Sequence, residues 1–111
     1  MKKEIGIDIV KISRFRVRKY SSNEKFYEKI FSKIEITYCL KYKDPYPHFA
    51  GKFAAKEAII KATGMKTEFN NIIINTKSNG LEVKINDKVK SNILVSIAHE
   101  KDYAIAMSMI F

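Results

Sequence analysis

Tryptophan is absent from this sequence of 111 residues, and cysteine, proline and glycine are scarce, with one, two and four residues. Because Cys39 is the sole cysteine, no disulfide can form within the chain, which favours a reducing compartment. Its apolar neighbours predict a buried core thiol. So little proline and glycine, beside 46% apolar residues, excludes a disordered chain. The length predicts one domain over residues 1–111.

Long apolar runs are absent as well. No stretch approaches the ~20 residues of a membrane-spanning helix. Glu4 and Asp8 interrupt the segment where a signal peptide has its apolar core. We therefore expect a cytoplasmic protein that does not insert into membranes.

Acidic residues are few, with 12 against 21 lysines and arginines, which gives a net charge of +9. Most of the excess lies in residues 1–61, and all three arginines fall at Arg14, Arg16 and Arg18. Codon bias could account for part of the lysine excess, but not for this arginine cluster. A basic field attracts nucleic acid, a phosphorylated small molecule or an acidic protein, without choosing among them.

Hydrophobic periodicity predicts an α+β fold with a mainly antiparallel sheet packed on one long helix and shorter helices. Strands are predicted at 4–10, 69–77, 81–85, 93–99 and 103–111, and helices at 13–20, 23–42 and 48–63. Ser32 is a cap between two helices within 23–42, and Gly64 ends the long helix. The last two strands are apolar on both faces, which predicts a central position or a subunit interface.

The long helix carries four charged residues, which fall into two groups on a helical wheel. Glu57 and Lys61 fall inside the apolar sector, whereas Lys52 and Lys56 are predicted to lie on a separate, solvated edge. A surface Glu57–Lys61 bridge would contribute only about 0.3–0.5 kcal/mol. The inner pair is therefore either a simple bridge or a functional site.

Asp8 is unusual because aspartate is disfavoured inside strands, although it could simply cap the following turn. If the first strand packs on the alanine side of the long helix, Asp8 and Glu57 converge. Two carboxylates without histidine or cysteine suit Mg²⁺, which takes further ligands from substrate phosphates. Lys61, one turn along, is then placed to contact those phosphates.

The end of the strand at 93–99 offers Ser96 and His99. Their side chains point to opposite faces, so they make a weak nucleophile pair. A phosphate contact and a structural histidine are equally compatible with His99. His48 is interpreted as a residue that starts the long helix.

Several blocks together resemble a known family: residues 5–10 (IGIDIV), 49–58 (FAGKFAAKEA) and 96–99 (SIAH). In these blocks, and in their order, the sequence is similar to the 4′-phosphopantetheinyl transferases of the bacterial holo-acyl-carrier-protein synthase type. The resemblance implies that fold, and transfer of 4′-phosphopantetheine from coenzyme A to a serine of an acyl carrier protein. It also implies release of adenosine 3′,5′-bisphosphate and a role in fatty acid biosynthesis.

The resemblance implies specific roles for residues of this chain. Asp8 and Glu57 would hold Mg²⁺ and act in catalysis with Lys61. The coenzyme site would be lined by Lys52, Lys61, Gly64, Ser96 and His99. Carrier docking would use Arg14, Arg18, Lys19 and Phe26.

The family is typically a homotrimer with sites between subunits, and the attacking serine belongs to the carrier protein. The alternative is a non-catalytic basic module that binds nucleic acid or an acidic protein. Nucleic acid is disfavoured because the aromatic residues are at core-like spacing. That alternative also leaves Asp8 and Glu57 without a role.

Overall fold

The computed structural model describes residues 4–111. Short 3₁₀ turns occupy Tyr20–Ser22 and Phe69–Asn71. The remaining elements follow in the order β1 (Glu4–Lys11), α1 (Ser13–Arg16), α2 (Glu24–Ile30), α3 (Lys33–Leu40), α4 (Tyr46–Thr63), β2 (Ile72–Lys77), β3 (Gly80–Ile85), β4 (Lys88–Val89), β5 (Ile93–His99) and β6 (Tyr103–Ile110). The strands form two antiparallel sheets, β1-β6-β5 and β2-β3-β4. No helix in this part of the chain combines the length and apolarity needed to cross a membrane.

The helix ends follow local sequence signals. Ser32 caps α3 in a reciprocal capping box with Glu35, as the sequence predicts for a cap at this position. Gly64 ends α4 with φ of 70°, a left-handed conformation that favours glycine. The prediction of a strand over 69–77 is wrong for its first three residues, Phe69–Asn71, which form a 3₁₀ turn. The Asn71 side chain donates locally to the Thr67 hydroxyl, whereas the Asn70 side chain donates to the Glu28 carbonyl at the end of α2.

One face of the β1-β6-β5 sheet packs on α4, and this contact is unusually close at Gly6. A Cβ added at Gly6 would lie 2.0 Å from the Ala58 carbonyl oxygen and 2.9 Å from the Ala62 nitrogen. Next to it, the Ser108 hydroxyl donates to the same Ala58 carbonyl at 2.8 Å. Glycine is therefore required at position 6 by the approach of strand backbone to helix backbone.

Substituting alanine at this contact should destabilise the fold strongly. We expect Gly6→Ala to lower the free energy of unfolding by about 3 kcal/mol, since the clash is with backbone atoms that cannot rotate away. Gly51→Ala is the matched control. Its Cβ would meet a side-chain atom and no backbone, the Cγ2 methyl of Ile97 at 2.8 Å, and alanine favours a helix by ~1 kcal/mol relative to glycine. Urea unfolding of both variants checks this, and equal losses would contradict it.

The other face of this sheet is open and apolar. Ile5, Ile7 and Ile9 of β1 are 64%, 55% and 60% exposed. Ile105, Met107 and Met109 of β6 continue the surface, and we call these six residues the open sheet face. β6 lies at the centre of the sheet, as predicted, whereas β5 lies at its edge, so for β5 the alternative of a subunit interface stays a prediction.

The core between α1, α2, α3 and α4 is rich in aromatic rings. Phe15 packs against Tyr27, Phe31 and Phe53, with ring centroids 5.6–5.9 Å apart. The buried Tyr27 hydroxyl donates to the Phe15 carbonyl at 3.0 Å, so its polar atom is satisfied. Cys39 is fully buried, and burial raises the pKa of its thiol to about 12. The predicted core thiol is confirmed.

The predicted solvated edge of α4 is wrong. Lys52 and Lys56 are 3% and 0% exposed, because α4 is covered by the sheet on one side and by α3 and β2 on the other. The Lys56 ammonium donates to Glu35 Oε1 at 2.6 Å and to the Ile30 and Phe69 carbonyls at 2.7 and 3.1 Å. The second Glu35 oxygen accepts the Ile74 N–H at 2.8 Å. We call this set the buried ion pair.

Candidate functional site

Asp8 reaches the site from the middle of β1. Gly6, Asp8 and Val10 share the face that packs on α4, so the backbone contact at Gly6 sets how far Asp8 stands from the helix. The Lys61 ammonium donates to Asp8 Oδ1 and to the Ile7 carbonyl, both at 3.0 Å. The Asp8 side chain is only 14% exposed. This carboxylate is therefore held at the edge of solvent by a single lysine.

Glu57 faces the same place from α4. Burial raises the pKa of Glu57, and the charge of Asp8 raises it further, against the opposing charges of Lys61 and Arg14. The predicted convergence of Asp8 and Glu57, with Lys61 one turn along the helix, is confirmed as a juxtaposition. We call these three residues the carboxylate site.

The carboxylate site fits a magnesium ion by its donor chemistry. Across residues 4–111 there is no cluster of three or more histidine, cysteine, aspartate or glutamate side chains that could hold a metal. A two-carboxylate set suits a hard cation that keeps waters and takes its remaining ligands from a substrate. Burial first, and then the charge of Asp8, raise the pKa of Glu57, so a second negative charge is disfavoured there. A divalent cation would relieve that repulsion.

A cavity of about 410 Å³ lies between α4, β3 and β5. It contains three of the predicted coenzyme residues, Lys52, Ser96 and His99. The Lys52 ammonium is turned to β2, where it donates to the Ile74 carbonyl at 2.6 Å and to the Thr76 hydroxyl at 3.1 Å. Lys52 therefore contributes a fixed positive charge in the cavity wall rather than a mobile side chain.

The other two predicted coenzyme residues lie elsewhere. Lys61 and Gly64 line a second cavity of about 670 Å³ near the end of α4. Lys52 and Lys61 are nine residues apart, which places them on opposite faces of the helix and ~14 Å apart along its axis. The structure therefore divides the predicted coenzyme residues between two cavities of one chain.

The arginine cluster is organised by aromatic rings and one acid. Arg14 lies over the Phe53 ring at 5.3 Å, and Arg18 over Phe26 at 4.5 Å, so both guanidinium groups are held at the surface. Arg16 instead binds both oxygens of Asp44, at 3.0 and 2.9 Å. Lys19 is exposed beside Arg18.

Sequence reasoning missed three contributions to these sites. It assigned no packing role to Gly6, it did not place Arg14 beside Glu57, and it treated His48 only as a helix-start residue. The signal for Gly6 was present as a glycine within a strand pattern, which often marks a close backbone approach. The other two arise from contacts between distant elements.

Comparison with known proteins places the chain in a class. The sequence model of the 4′-phosphopantetheinyl transferase superfamily matches residues 4–108, and the chain belongs to that superfamily. Particular relatives are named holo-[acyl-carrier-protein] synthase. The one from Thermodesulfovibrio yellowstonii is 40% identical over 109 residues, 96% of each chain. The one from Chlamydia caviae is 39% identical over 114 residues, covering 95% of this chain and 93% of the relative.

Solved structures agree with the sequence relatives. The holo-(acyl-carrier-protein) synthase from Bacillus anthracis, in complex with CoA (3′,5′-ADP), is similar with a TM-score of 0.79 and 28% identity, over 96% of this chain and 94% of that one. The Helicobacter pylori enzyme in complex with coenzyme A gives 0.78 and 29%, over 96% and 99%. The predicted family, the α+β fold and the enzyme class, a phosphopantetheinyl transferase, are confirmed.

Proposed function

We propose that this protein transfers 4′-phosphopantetheine from coenzyme A to a serine of an apo-acyl carrier protein in a magnesium-dependent reaction. The serine oxygen forms a bond to the phosphorus that bears pantetheine and loses its proton. The pyrophosphate P–O bond breaks, and adenosine 3′,5′-bisphosphate leaves with the bridging oxygen. The carboxylate site is the observation that carries this proposal.

Asp8 and Glu57 are the residues that would hold the ion. When bound, Mg²⁺ neutralises charge on the pyrophosphate and makes the bisphosphate a better leaving group. Lys61 donates two hydrogen bonds within its own chain and has a third proton free to reach a phosphate oxygen. Phosphoryl transfer depends mostly on positioning and charge stabilisation, so no nucleophile is required from this chain.

The two cavities on opposite faces of α4 support a site shared between copies of the chain. One coenzyme molecule could contact Lys61 and Gly64 of one copy and Lys52, Ser96 and His99 of another. The open sheet face supplies a surface whose burial between copies would be favourable. A homotrimer is the assembly we propose. Sedimentation equilibrium tests it, and a monomer at assay concentration would contradict it.

The cytoplasmic location and the role in fatty acid biosynthesis stay predictions.

We propose that the acidic carrier protein docks on the surface formed by Arg14, Arg18, Lys19 and Phe26. The rings under Arg14 and Arg18 hold each guanidinium extended, which reduces the entropy lost when a partner carboxylate binds. Arg16 is already neutralised by Asp44 and is left out of this surface.

Charge reversal within the docking surface should weaken the binding of the carrier protein and leave the binding of coenzyme A unchanged. We expect Arg18→Glu to raise the KM for the carrier protein roughly tenfold or more, because attraction becomes repulsion, while the KM for coenzyme A stays unchanged. Lys88→Glu, an exposed reversal on β4, is the control with the same change in net charge. Equal effects of both variants, or a change in the KM for coenzyme A, would contradict the assigned role.

The proposal as a whole is tested by incubating the purified protein with coenzyme A, Mg²⁺ and an apo-acyl carrier protein. We expect the carrier to gain the mass of one phosphopantetheine group in a mass spectrum, and the gain to disappear when a chelator removes the metal. No gain with a properly assembled protein would overturn the transferase proposal. Binding of nucleic acid in its place would support the non-catalytic alternative.

A further inference from the structure

A buried tyrosine hydroxyl contacts the turn that carries two arginines of the docking surface. Tyr27 of α2 is fully buried. Its hydroxyl lies 2.7 Å from the Arg18 carbonyl oxygen and 3.0 Å from the Phe15 carbonyl oxygen. A hydroxyl has one proton to donate, so the two carbonyls share it. Burial raises the pKa of Tyr27, so the hydroxyl stays protonated and remains a donor.

Helix α1 needs such a contact because it is too short to be stable alone. It has four residues, and no side-chain hydrogen bond caps its first turn. A single turn fixes several backbone angles for one hydrogen bond, which is unfavourable in isolation. The buried Phe15 ring anchors the turn in the aromatic core. Beyond α1, the Arg18 N–H donates to the Phe15 carbonyl at 3.0 Å. The turn therefore continues to Arg18, where the Tyr27 hydroxyl holds its end.

This turn places Arg18 next to Arg14. Residues four apart on a helical turn are neighbours on its surface, and the ring beneath each guanidinium group holds it extended. Phe26, the ring beneath Arg18, directly precedes Tyr27 in α2. Helix α2 therefore supports Arg18 at two points, at the side chain through Phe26 and at the main chain through Tyr27.

We propose that Tyr27 is a positioning residue for recognition of the acidic carrier protein, and that it acts through Arg18. Because Tyr27 is fully buried, it contacts no partner itself. Without the hydroxyl, the Arg18 carbonyl loses this donor and turns towards water, and the guanidinium group moves off the Phe26 ring with it. The charge at position 18 is then no longer held beside Arg14. This inference rests on the proposed function, since it assigns a support to the docking surface of that reaction.

Steady-state kinetics of Tyr27→Phe test the proposal, because this change keeps the ring and removes only the hydroxyl. We expect the KM for the carrier protein to rise roughly fivefold, as when one hydrogen bond is lost. The kcat and the KM for coenzyme A should stay at the wild-type values, because the carboxylate site and both cavities are unchanged. In an Arg18→Ala background, Tyr27→Phe should cause no further rise in the carrier KM, because the two residues act as one unit.

Ile72→Val is the control for a general loss of stability. Ile72 is a fully buried residue of β2, and the change removes one methylene group from the core. Such a change destabilises a protein about as much as the loss of one hydrogen bond. It leaves the hydroxyl of Tyr27 and the carbonyl of Arg18 in place. We therefore expect Ile72→Val to leave the carrier KM unchanged.

The outcomes separate this inference from the function on which it rests. An unchanged carrier KM in Tyr27→Phe would overturn the inference, and so would an equal rise in Ile72→Val. If Tyr27→Phe raised the carrier KM as much in the Arg18→Ala background as in the wild type, the effect would not pass through Arg18, which would also overturn it. Failure of the wild-type protein to modify a carrier would instead overturn the proposed function.

Discussion

Asp8→Asn and Glu57→Gln should each reduce the rate of carrier modification roughly 100- to 1,000-fold, the loss typical when one preorganised electrostatic contact to the reacting phosphate is removed. Each change keeps the shape of the side chain and removes one charged oxygen donor. The measurement is the initial rate of mass gain of the carrier at saturating coenzyme A and at a Mg²⁺ concentration that just saturates the wild-type protein. Added Mg²⁺ should recover part of the rate, since the variants retain one carboxylate.

Glu68→Gln is the control, because it removes an exposed carboxylate outside the carboxylate site. Full activity in Asp8→Asn and Glu57→Gln would place the metal elsewhere. Loss of folding would also lower the rates, but we expect Glu57→Gln to be more stable than the wild-type protein at neutral pH. The folded-state pKa of Glu57 is raised above its ordinary 4.5, so its ionisation opposes folding.

The effect of Glu57 ionisation on stability provides a second test, which is made in metal-free protein. Below pH 4.5 the carboxyl is protonated in both folded and unfolded chains, so Glu57→Gln should match the wild type there. As pH rises through the raised pKa, the folded wild-type protein must hold a second carboxylate beside Asp8. The variant should then unfold at a higher temperature at neutral pH while being less active. A lower unfolding temperature at pH 7 would contradict this.

Lys56→Met should lower the free energy of unfolding by about 3–5 kcal/mol, because it leaves the Glu35 carboxylate buried without a counter-charge. The Ile30 and Phe69 carbonyls would also lose their donor. Urea unfolding measures the loss. Lys25→Met is the control, since Lys25 is an exposed residue on α2.

A second change should restore part of that stability. Lys56→Met combined with Glu35→Gln removes the unpaired charge and keeps one oxygen, which can accept the Ile74 N–H but not also the Ser32 N–H that Glu35 Oε1 accepts. We therefore expect the double variant to be more stable than Lys56→Met alone. If it is less stable, the uncompensated charge of Glu35 is not the main cost of Lys56→Met.

Local signals predicted most of the fold. The alternation of residues 4–10, the Ser32 cap, the Gly64 stop and the last two strands depend on neighbours a few residues away, so they can be read from sequence. The carboxylate site was also predictable, because aspartate is disfavoured inside a strand and charged residues are disfavoured within the apolar sector of a helix.

The buried ion pair was not predictable in this way. A helical wheel assumes that one face of a helix meets the core and the other meets water. Helix α4 meets the sheet on one side and α3 and β2 on the other, so its basic edge is buried as well. The partner of Lys56 is Glu35, 21 residues earlier, and only tertiary packing brings the two together.

The contact at Gly6 has a consequence for how this enzyme tolerates change. Main-chain atoms of β1 and α4 touch each other directly there, so the placement of Asp8 does not depend on the volume of any core side chain. Neighbouring residues can exchange one apolar type for another over many generations, and the core can be rebuilt around the site, without displacing the carboxylate. This tolerance requires glycine at position 6, where no larger residue fits.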